Sequence, residues 1–475
     1  MWSMKLLIFG LGDYYSKYKR WIRDDYIVGL IDNNDEKQGT YVDGHFVYAP
    51  GEISNISYDF IVLLSIHEPQ MRRQLIDLGV DEDKLIGHSE LAVRKDILNG
   101  RVPVELYASE SDTRMLIRDN TRNTILIMSP NLDYNGATMV LLYATEILRN
   151  AGHKIVFASW HDGDVRAKLE HIDIPIIIDR NLKIETAADI PWIEEFKFVI
   201  CNTIHHYRFL SHRPECEKII WWLHDPPCFY DSIDTDILQS INFRNVMVCS
   251  AGKLAADAFW KYLPEIDVEI LPYGIPDINR SKLIIKTKEG TGLRLIALVI
   301  ANVQEYKGQD IIIDALEKLT EDERRNISIR IIGNDSSAFA GELKKRAAML
   351  GDCVEFLSFM DRDSIEDEFA EADLLICASR EDVMPISVCE AMQRYIPCIL
   401  SDSIGNSQYI TDGYNGLVFT CEDSDALTDK IRWSLYHKTD LVQMGSRSRK
   451  IYEEHFSMKV FERNLKQLVD SCFYG

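Results

Sequence analysis

Between residues 293 and 401 the chain carries short apolar runs, LRLIALVI (293–300), ISIRII (327–332), DLLICAS (373–379) and PCILS (397–401), separated by helical stretches. Runs this short and this apolar lack a polar face. They predict strands buried on both sides, as in a parallel, doubly wound sheet. Such sheets bind ligands outside the carboxyl ends of their strands. The run ending near Ser379 leads directly into SREDVMPISVCEAM (379–392). Glu381 and Asp382 are followed by Pro385, which is tolerated at the first helical position because its missing N–H would be unpaired there. A helix is therefore expected from Pro385 to Arg394, with amides near Met384, Pro385, Ile386 and Ser387 placed to meet an anion. Glu390 lies further along it among Val388, Cys389, Ala391 and Met392. A carboxylate in such company needs hydrogen bonds. Sugar or ribose hydroxyls would supply them, and so would a neighbouring backbone.

At 475 residues the chain exceeds one ordinary core, and two or three domains are expected. A net charge of −22 argues against binding nucleic acid, whose phosphates need Lys and Arg clusters. It also disfavours broad attraction to anionic lipid, while leaving a local basic patch and peripheral membrane contact open. No apolar run is long enough to span a bilayer, and MWSMKLLIFGLG reads as a strand, not a signal peptide. Ten cysteines without a CxxC pair read as reduced core residues of a cytoplasmic protein. The triplets Asp234-Thr235-Asp236 and Asp361-Arg362-Asp363 sit where helices begin, so they read as helix-capping acids and no metal is expected.

The first 120 residues open with the strand KLLIFG and then GLGD, where Gly10 and Gly12 fit a dinucleotide fingerprint but Tyr15 replaces its third glycine. Further strands over Tyr26–Ile31 and Asp59–Ser65, with a helix over Gln70–Leu78, complete a small Rossmann-like α/β domain. Asp32, after the second strand, could meet a ribose. The broken motif favours the alternative, in which the glycines serve a tight turn. Residues 99–123 read as a polar connector.

Residues 121–280 begin with TILIMS (124–129) and PNLDYNGATMVLL, in which Asn135 and Gly136 precede an apolar helix that Gly152 ends. FKFVICNTIHH (196–206) and KIIWWLHDPP (218–227) read as buried strands running into polar residues, which puts Asn202 and His224 at strand ends on one edge. His205 and His206 are weaker candidates. Each histidine has a bland reading as a satisfied structural side chain.

Taken together, these segments resemble retaining GT-B glycosyltransferases of glycosyltransferase family 4 (glycosyl transferases group 1), over roughly residues 123 to 470. That family carries two acids with seven residues between them, matched here by Asp382, where Glu is usual, and Glu390. The resemblance implies two doubly wound Rossmann-like domains facing a cleft, 121–280 for the acceptor and 281–475 for the nucleotide sugar, with a last helix crossing back. It implies transfer of a hexosyl unit from a nucleotide diphosphate sugar to a glycan, lipid-linked or protein acceptor, with retention and without a cofactor. A role in bacterial polysaccharide or glycoconjugate assembly, at or near the inner face of the membrane, follows from it. Residue by residue, Asn135 and Gly136 fall in the acceptor-side loop, and Asn202 and His224 at positions that contact sugar or acceptor. Gly333 falls where backbone nears the nucleoside. Lys307, in ANVQEYKG (301–308), falls on one of two cations facing the diphosphate, but the arginine of the family's Gly-Arg pair is Asn302 here. Lys307 is then expected to carry more of the charge, helped by Arg380. Two other readings stay open: a GT-B sugar-nucleotide epimerase, and a sugar-nucleotide-binding sensor without catalysis.

Overall fold

A computed structural model describes residues 4–19, 22–65, 67–87, 97, 105–107, 124–183, 193, 196–213, 217–278, 294–360 and 362–474. Most of the connector expected over 99–123 lies outside them, as do the junction near 280 and Asp361. Contacts divide the chain into two compact units, residues 1–105 with 178–185, and residues 106–177 with 186–475. The first boundary thus falls at 105, and the two expected halves after it share one unit.

In the first unit a six-stranded sheet runs in the order Tyr41–Val42, His45–Tyr48, Ile27–Ile31, Leu6–Phe9, Phe60–Leu63, Leu85–Gly87. Alternation along the strand decides what each face buries. Leu6 and Ile8 join Tyr15, Leu30 and Val62 in one core, while Leu7 and Phe9 join Ile31, Ile61, Met71 and Leu75 in another. Covering both faces is what a parallel sheet requires.

The second unit contains two parallel arrays. One is an eight-stranded sheet that includes, in spatial order, Val268–Ile270, Val246–Ser250, Lys218–Leu223, Phe198–Asn202, Thr124–Ser129 and Lys154–Ser159. The other has six strands, Val354–Phe356, Ile327–Ile332, Leu295–Ile300, Leu374–Cys377, Cys398–Ser401 and Leu417–Phe419. All described pairings of this second sheet are parallel. Its central strands are the four apolar runs of the sequence. Both sheets reverse their strand order next to the first strand of the fold, which opens a crevice at their carboxyl edges.

The C-terminal helix Met458–Val469 packs against the first array. Phe461 is fully buried, its ring 5.7 Å from Trp222. A Cβ on Gly274 would lie 2.7 Å from that of Phe461, so the glycine is what lets the helix approach. Further on, Phe473 packs on Phe198 at 4.8 Å and its carbonyl accepts a hydrogen bond from Lys218 Nζ. Truncating a large buried ring leaves a cavity. Phe461→Ala is expected to destabilise this unit by about 3–5 kcal/mol, seen as a lower urea midpoint followed by tryptophan fluorescence.

Candidate active site

The donor-side edge is assembled by two loops that one glycine locks together. Gly308 has φ +68°, and a Cβ there would lie 2.0 Å from the Ala378 carbonyl oxygen. Only glycine permits both the left-handed turn and that approach. The Arg380 amide then donates to the Tyr306 carbonyl at 2.8 Å. Lys307 is thereby brought to Asp382, Nζ to Oδ2 2.5 Å, with both side chains 18% exposed. Burial works against the Lys307 ammonium, but the Asp382 carboxylate outweighs it and holds the Lys307 pKa above its usual value.

Asp382 itself makes a single parallel bridge to Ile404, and Gly405 donates its amide to the Asp382 carbonyl. The helix then runs Ile386–Gln393 with Pro385 at its N-cap, one residue later than the sequence suggested. The amides of Ile386 and Ser387 make no hydrogen bond to a described residue. They are the orphan donors of a helix start. Glu390 is half-buried on the same helix, whereas its neighbours Cys389 and Ala391 are fully buried.

Three expected substrate contacts, Arg380, Asn202 and Asn302, are engaged elsewhere or buried. Arg380 is held by Asp310 at 2.7 and 2.9 Å, by Glu422 and by the Glu305 carbonyl. A guanidinium saturated by two carboxylates has no donors left for a diphosphate. Asn202 is fully buried at the end of its strand, and its amide atoms meet no described partner. The chain turns back at once after it, since His206 Nδ1 donates to the Asn202 carbonyl at 2.5 Å. Asn302 points its Oδ1 at the Asn334 amide, 3.0 Å away, and so braces the turn after Ile327–Ile332. In that turn a Cβ on Gly333 would lie 2.3 Å from the Ala301 carbonyl oxygen. Backbone from two adjacent strands therefore meets at Gly333.

Across the cleft, Asn135 caps the helix Gly136–Asn150, its Oδ1 accepting from the Thr138 amide. A Cβ on Gly136 would lie 3.6 Å from Ile386 Cδ1, so a side chain at this position would reach ordinary contact with the donor helix. Tyr273, absent from the sequence-based candidates, donates its hydroxyl to the Met384 carbonyl. Its burial among Cys389, Asp382 and Glu390 was not legible from LPYGIP. The His224 ring packs on Trp222 at 4.7 Å, tilted by 53°, with Nε2 buried and facing no described partner, and burial lowers its pKa to about 3. It is a neutral imidazole. Four residues on, the Cys228 amide donates to Glu381 Oε2 at 2.9 Å.

His205 is half-buried and faces Phe229, while His206 is buried against Trp160. The expected capping role of Asp234 is seen directly, since Oδ1 accepts from the Ile237 amide. Among the described residues no group of three His, Cys, Asp or Glu is placed to hold a metal ion. No described helix is long and apolar enough to cross a membrane.

In the first unit, Asp32 accepts from the Leu11 and Asn34 amides, both at 2.8 Å, and from Lys37. Gly10 has φ +100°, and its Cβ would lie 2.8 Å from the Leu64 carbonyl oxygen. The glycine makes the tight turn, and the carboxylate is engaged by its own loop. A separate groove of about 740 Å³ is lined by Asn33, Asp35, Gln38, Arg73 and Gln74, among others.

Comparison with known proteins bears on both units. The family model described as Glycosyl transferases group 1 matches residues 282–451, and the model C2185-like, N-terminal matches residues 2–86. Spore coat protein SA of Bacillus subtilis (strain 168) is 24% identical over 195 residues, 39% of this chain and 52% of that protein. Putative glycosyltransferase EpsD of the same organism is 27% identical over 169 residues, 35% and 43% of the two chains. The chain thus spans about half the length of these relatives. The crystal structure of Anabaena Alr3699/HepE in complex with UDP and glucose superposes with a TM-score of 0.62 at 17% identity, covering 74% of this chain and all of that one. The paired parallel sheets are those of the GT-B fold.

His206 offers a test of the acceptor-side packing. Its Nδ1–H donates to the Asn202 carbonyl, which leaves Nε2 a bare acceptor, and burial lowers its pKa to about 3. The unfolded chain, with a histidine pKa near 6.5, binds a proton that the folded chain refuses. Stability therefore falls as pH drops below about 6.5, by about 2 kcal/mol from this residue on reaching pH 5. Urea unfolding at the two pH values should show this component in the wild type and its loss in His206→Gln.

Proposed function

We propose that the second unit transfers a sugar from a nucleotide diphosphate sugar to a hydroxyl acceptor. The observation that carries this reading is the meeting of Lys307, Asp382 and the free amides of Ile386 and Ser387 at one sheet edge. Diphosphate departure concentrates negative charge on the leaving oxygens, and preorganised donors there lower the barrier most. Lys307 provides the fixed cation. The helix start provides neutral donors whose dipoles favour an anion. Glu390, half-buried on the same helix, is suited to hold ribose hydroxyls, and Asp382 both aims Lys307 and orients the sugar. The match to Glycosyl transferases group 1 over the donor half and the fold shared with a protein solved with UDP and glucose support a nucleotide sugar as donor.

Retention at the anomeric carbon, a hexosyl donor and a role in bacterial polysaccharide or glycoconjugate assembly belong to the same proposal. The neutral His224, at the acceptor-side edge, is assigned to contact sugar or acceptor. The departing phosphate oxygen itself can take the acceptor proton, so no protein base is required.

A thermal-shift screen over nucleotide sugars tests donor binding, since a ligand at a hundred times its Kd adds about 2.7 kcal/mol. Product analysis then separates the readings. A sugar changed without an acceptor would identify an epimerase, and binding without turnover across many acceptors would identify a sensor.

Because charge on the leaving group grows toward the transition state, Lys307 should matter more to turnover than to donor affinity. Lys307→Ala is expected to lower kcat on the order of a hundredfold or more, as loss of one oxyanion donor does, with a smaller change in donor Kd. A Lys307→Ala enzyme with near-normal kcat would remove the residue from the site. Turnover is also expected to survive excess chelator, because Lys307 and the helix amides supply the positive potential. Loss on chelation that manganese or magnesium restores would overturn that assignment.

A further inference from the structure

Glu381 is adjacent in sequence to Asp382 but does not share its role. Its Oε2 reaches out of the donor half to the backbone N–H of Cys228, 153 residues away, at 2.9 Å. Cys228 ends the segment His224-Asp225-Pro226-Pro227-Cys228, in which two prolines leave few backbone torsions free. Asp225 is itself anchored, since its Oδ2 accepts from the Ile204 amide at 2.6 Å. A bond at Cys228 therefore restrains the short rigid stretch that carries His224. At the other end, Glu381 is covalently next to the carboxylate that holds Lys307. A polar pocket of about 180 Å³ lies at this junction, lined by Pro227, Cys228, Asp231, Lys261, Tyr262 and Glu381.

We propose that Glu381 is a positioning residue that ties the His224 segment to the Asp382 loop, so that sugar transfer depends on it while donor binding does not. An ionised acceptor makes this bond roughly twice as strong as a neutral one. Its donor is a backbone amide, so it fixes main-chain position instead of one side-chain rotamer. A misplacement of about 1 Å between reacting groups can cost a hundredfold in rate. The proposal rests on the second unit being a glycosyltransferase, but the contact itself can be read without turnover. Cys228 is exposed as a residue, but partial desolvation of its thiol, together with the Glu381 carboxylate beside it, raises its pKa to about 11. Removing that charge makes the thiol more acidic and more reactive.

The test uses the full chain as wild type, Glu381→Gln and Glu381→Ala. Alkylation of the Cys228 peptide by iodoacetamide at pH 8, followed by mass spectrometry, should be several-fold faster in both variants. An unchanged rate would show that the contact does not exist in solution and would overturn the proposal whatever the enzyme's activity. On a donor and acceptor that the wild type turns over, Glu381→Ala should lower kcat at least tenfold with donor Kd within twofold. Glu381→Gln, whose amide oxygen still accepts from Cys228, should recover most of it. Equal loss in both variants would make the charge a ligand of the donor, and no loss in either would make the bond incidental. Either result overturns the proposal. A wild type that turns over no nucleotide sugar would instead count against the glycosyltransferase reading, with the alkylation result still deciding the contact.

Discussion

The left-handed turn at Gly308 is the constraint on which the donor side rests. With the Ala378 carbonyl 2.0 Å from where a Cβ would stand, any other residue would push the Lys307 segment off the loop that follows Leu374–Cys377. The separation matters because Lys307 and Asp382 lie 75 residues apart and meet only if both loops keep their places. Once they meet, each makes the other's burial tolerable. A lone ammonium or carboxylate at such exposure would be strongly disfavoured, and breaking a pair of this kind costs more than forming it gains. The turn, the ion pair and the helix start are therefore one assembly, and its geometry precedes any ligand.

Charge balance explains why so few cations reach this edge. The chain carries 75 Asp and Glu against 53 Lys and Arg, so a typical arginine finds carboxylates before it finds a ligand. Arg380 does so with Asp310 and Glu422, and Arg330 with Glu368 and Glu371. These pairs brace loops and strands, but they neutralise the charge that a diphosphate would need. An acidic protein also repels an anionic substrate at long range. Both effects shift the demand onto backbone dipoles, whose donors cannot be captured by a side chain that moves.

The architecture was legible from the chain because hydrophobic periodicity is a local property. LRLIALVI, ISIRII, DLLICAS and PCILS each became a central strand within two residues of the expected bounds. The helix over residues 385–394 was legible from Pro385, a residue suited to a helix start. Side-chain destinations were not. Nothing within ten residues of Arg380 announces Glu422, and nothing near His206 announces the Trp160 ring it packs against. GLGD in the first unit looked like half a nucleotide motif, and only the fold shows Asp32 accepting from the Leu11 amide that the motif's turn presents. Partners far apart in sequence are set by topology, and a motif records only the near ones.

The two sheet edges differ in how their polar groups are satisfied. On the donor side, Asn302 braces Asn334, Gln309 donates to the Asn302 carbonyl, and Ser403 donates to the Ser379 carbonyl. On the acceptor side, Ser129 Oγ, both Asn202 amide atoms, Thr203 Oγ1, Trp222 Nε1 and His224 Nε2 are buried without a partner among the described residues. They fall at the ends of three adjacent strands, and Thr203 there takes φ +71°. Each such group costs about 1–3 kcal/mol relative to a satisfied one. A fold bears costs of that kind where function, not stability, decides the residue. Buried polar atoms without a described partner occur on the donor side too, at Gln309 Oε1, Gln393 Nε2 and Asn406 Oδ1, but there they lie on helical segments and not at adjacent strand ends. A contact spanning the two edges, such as Glu381 to Cys228, ties the loop of Asp382 to the segment that carries His224. Its effect therefore belongs in the rate of transfer, which needs both edges, more than in the binding of a donor, which needs one.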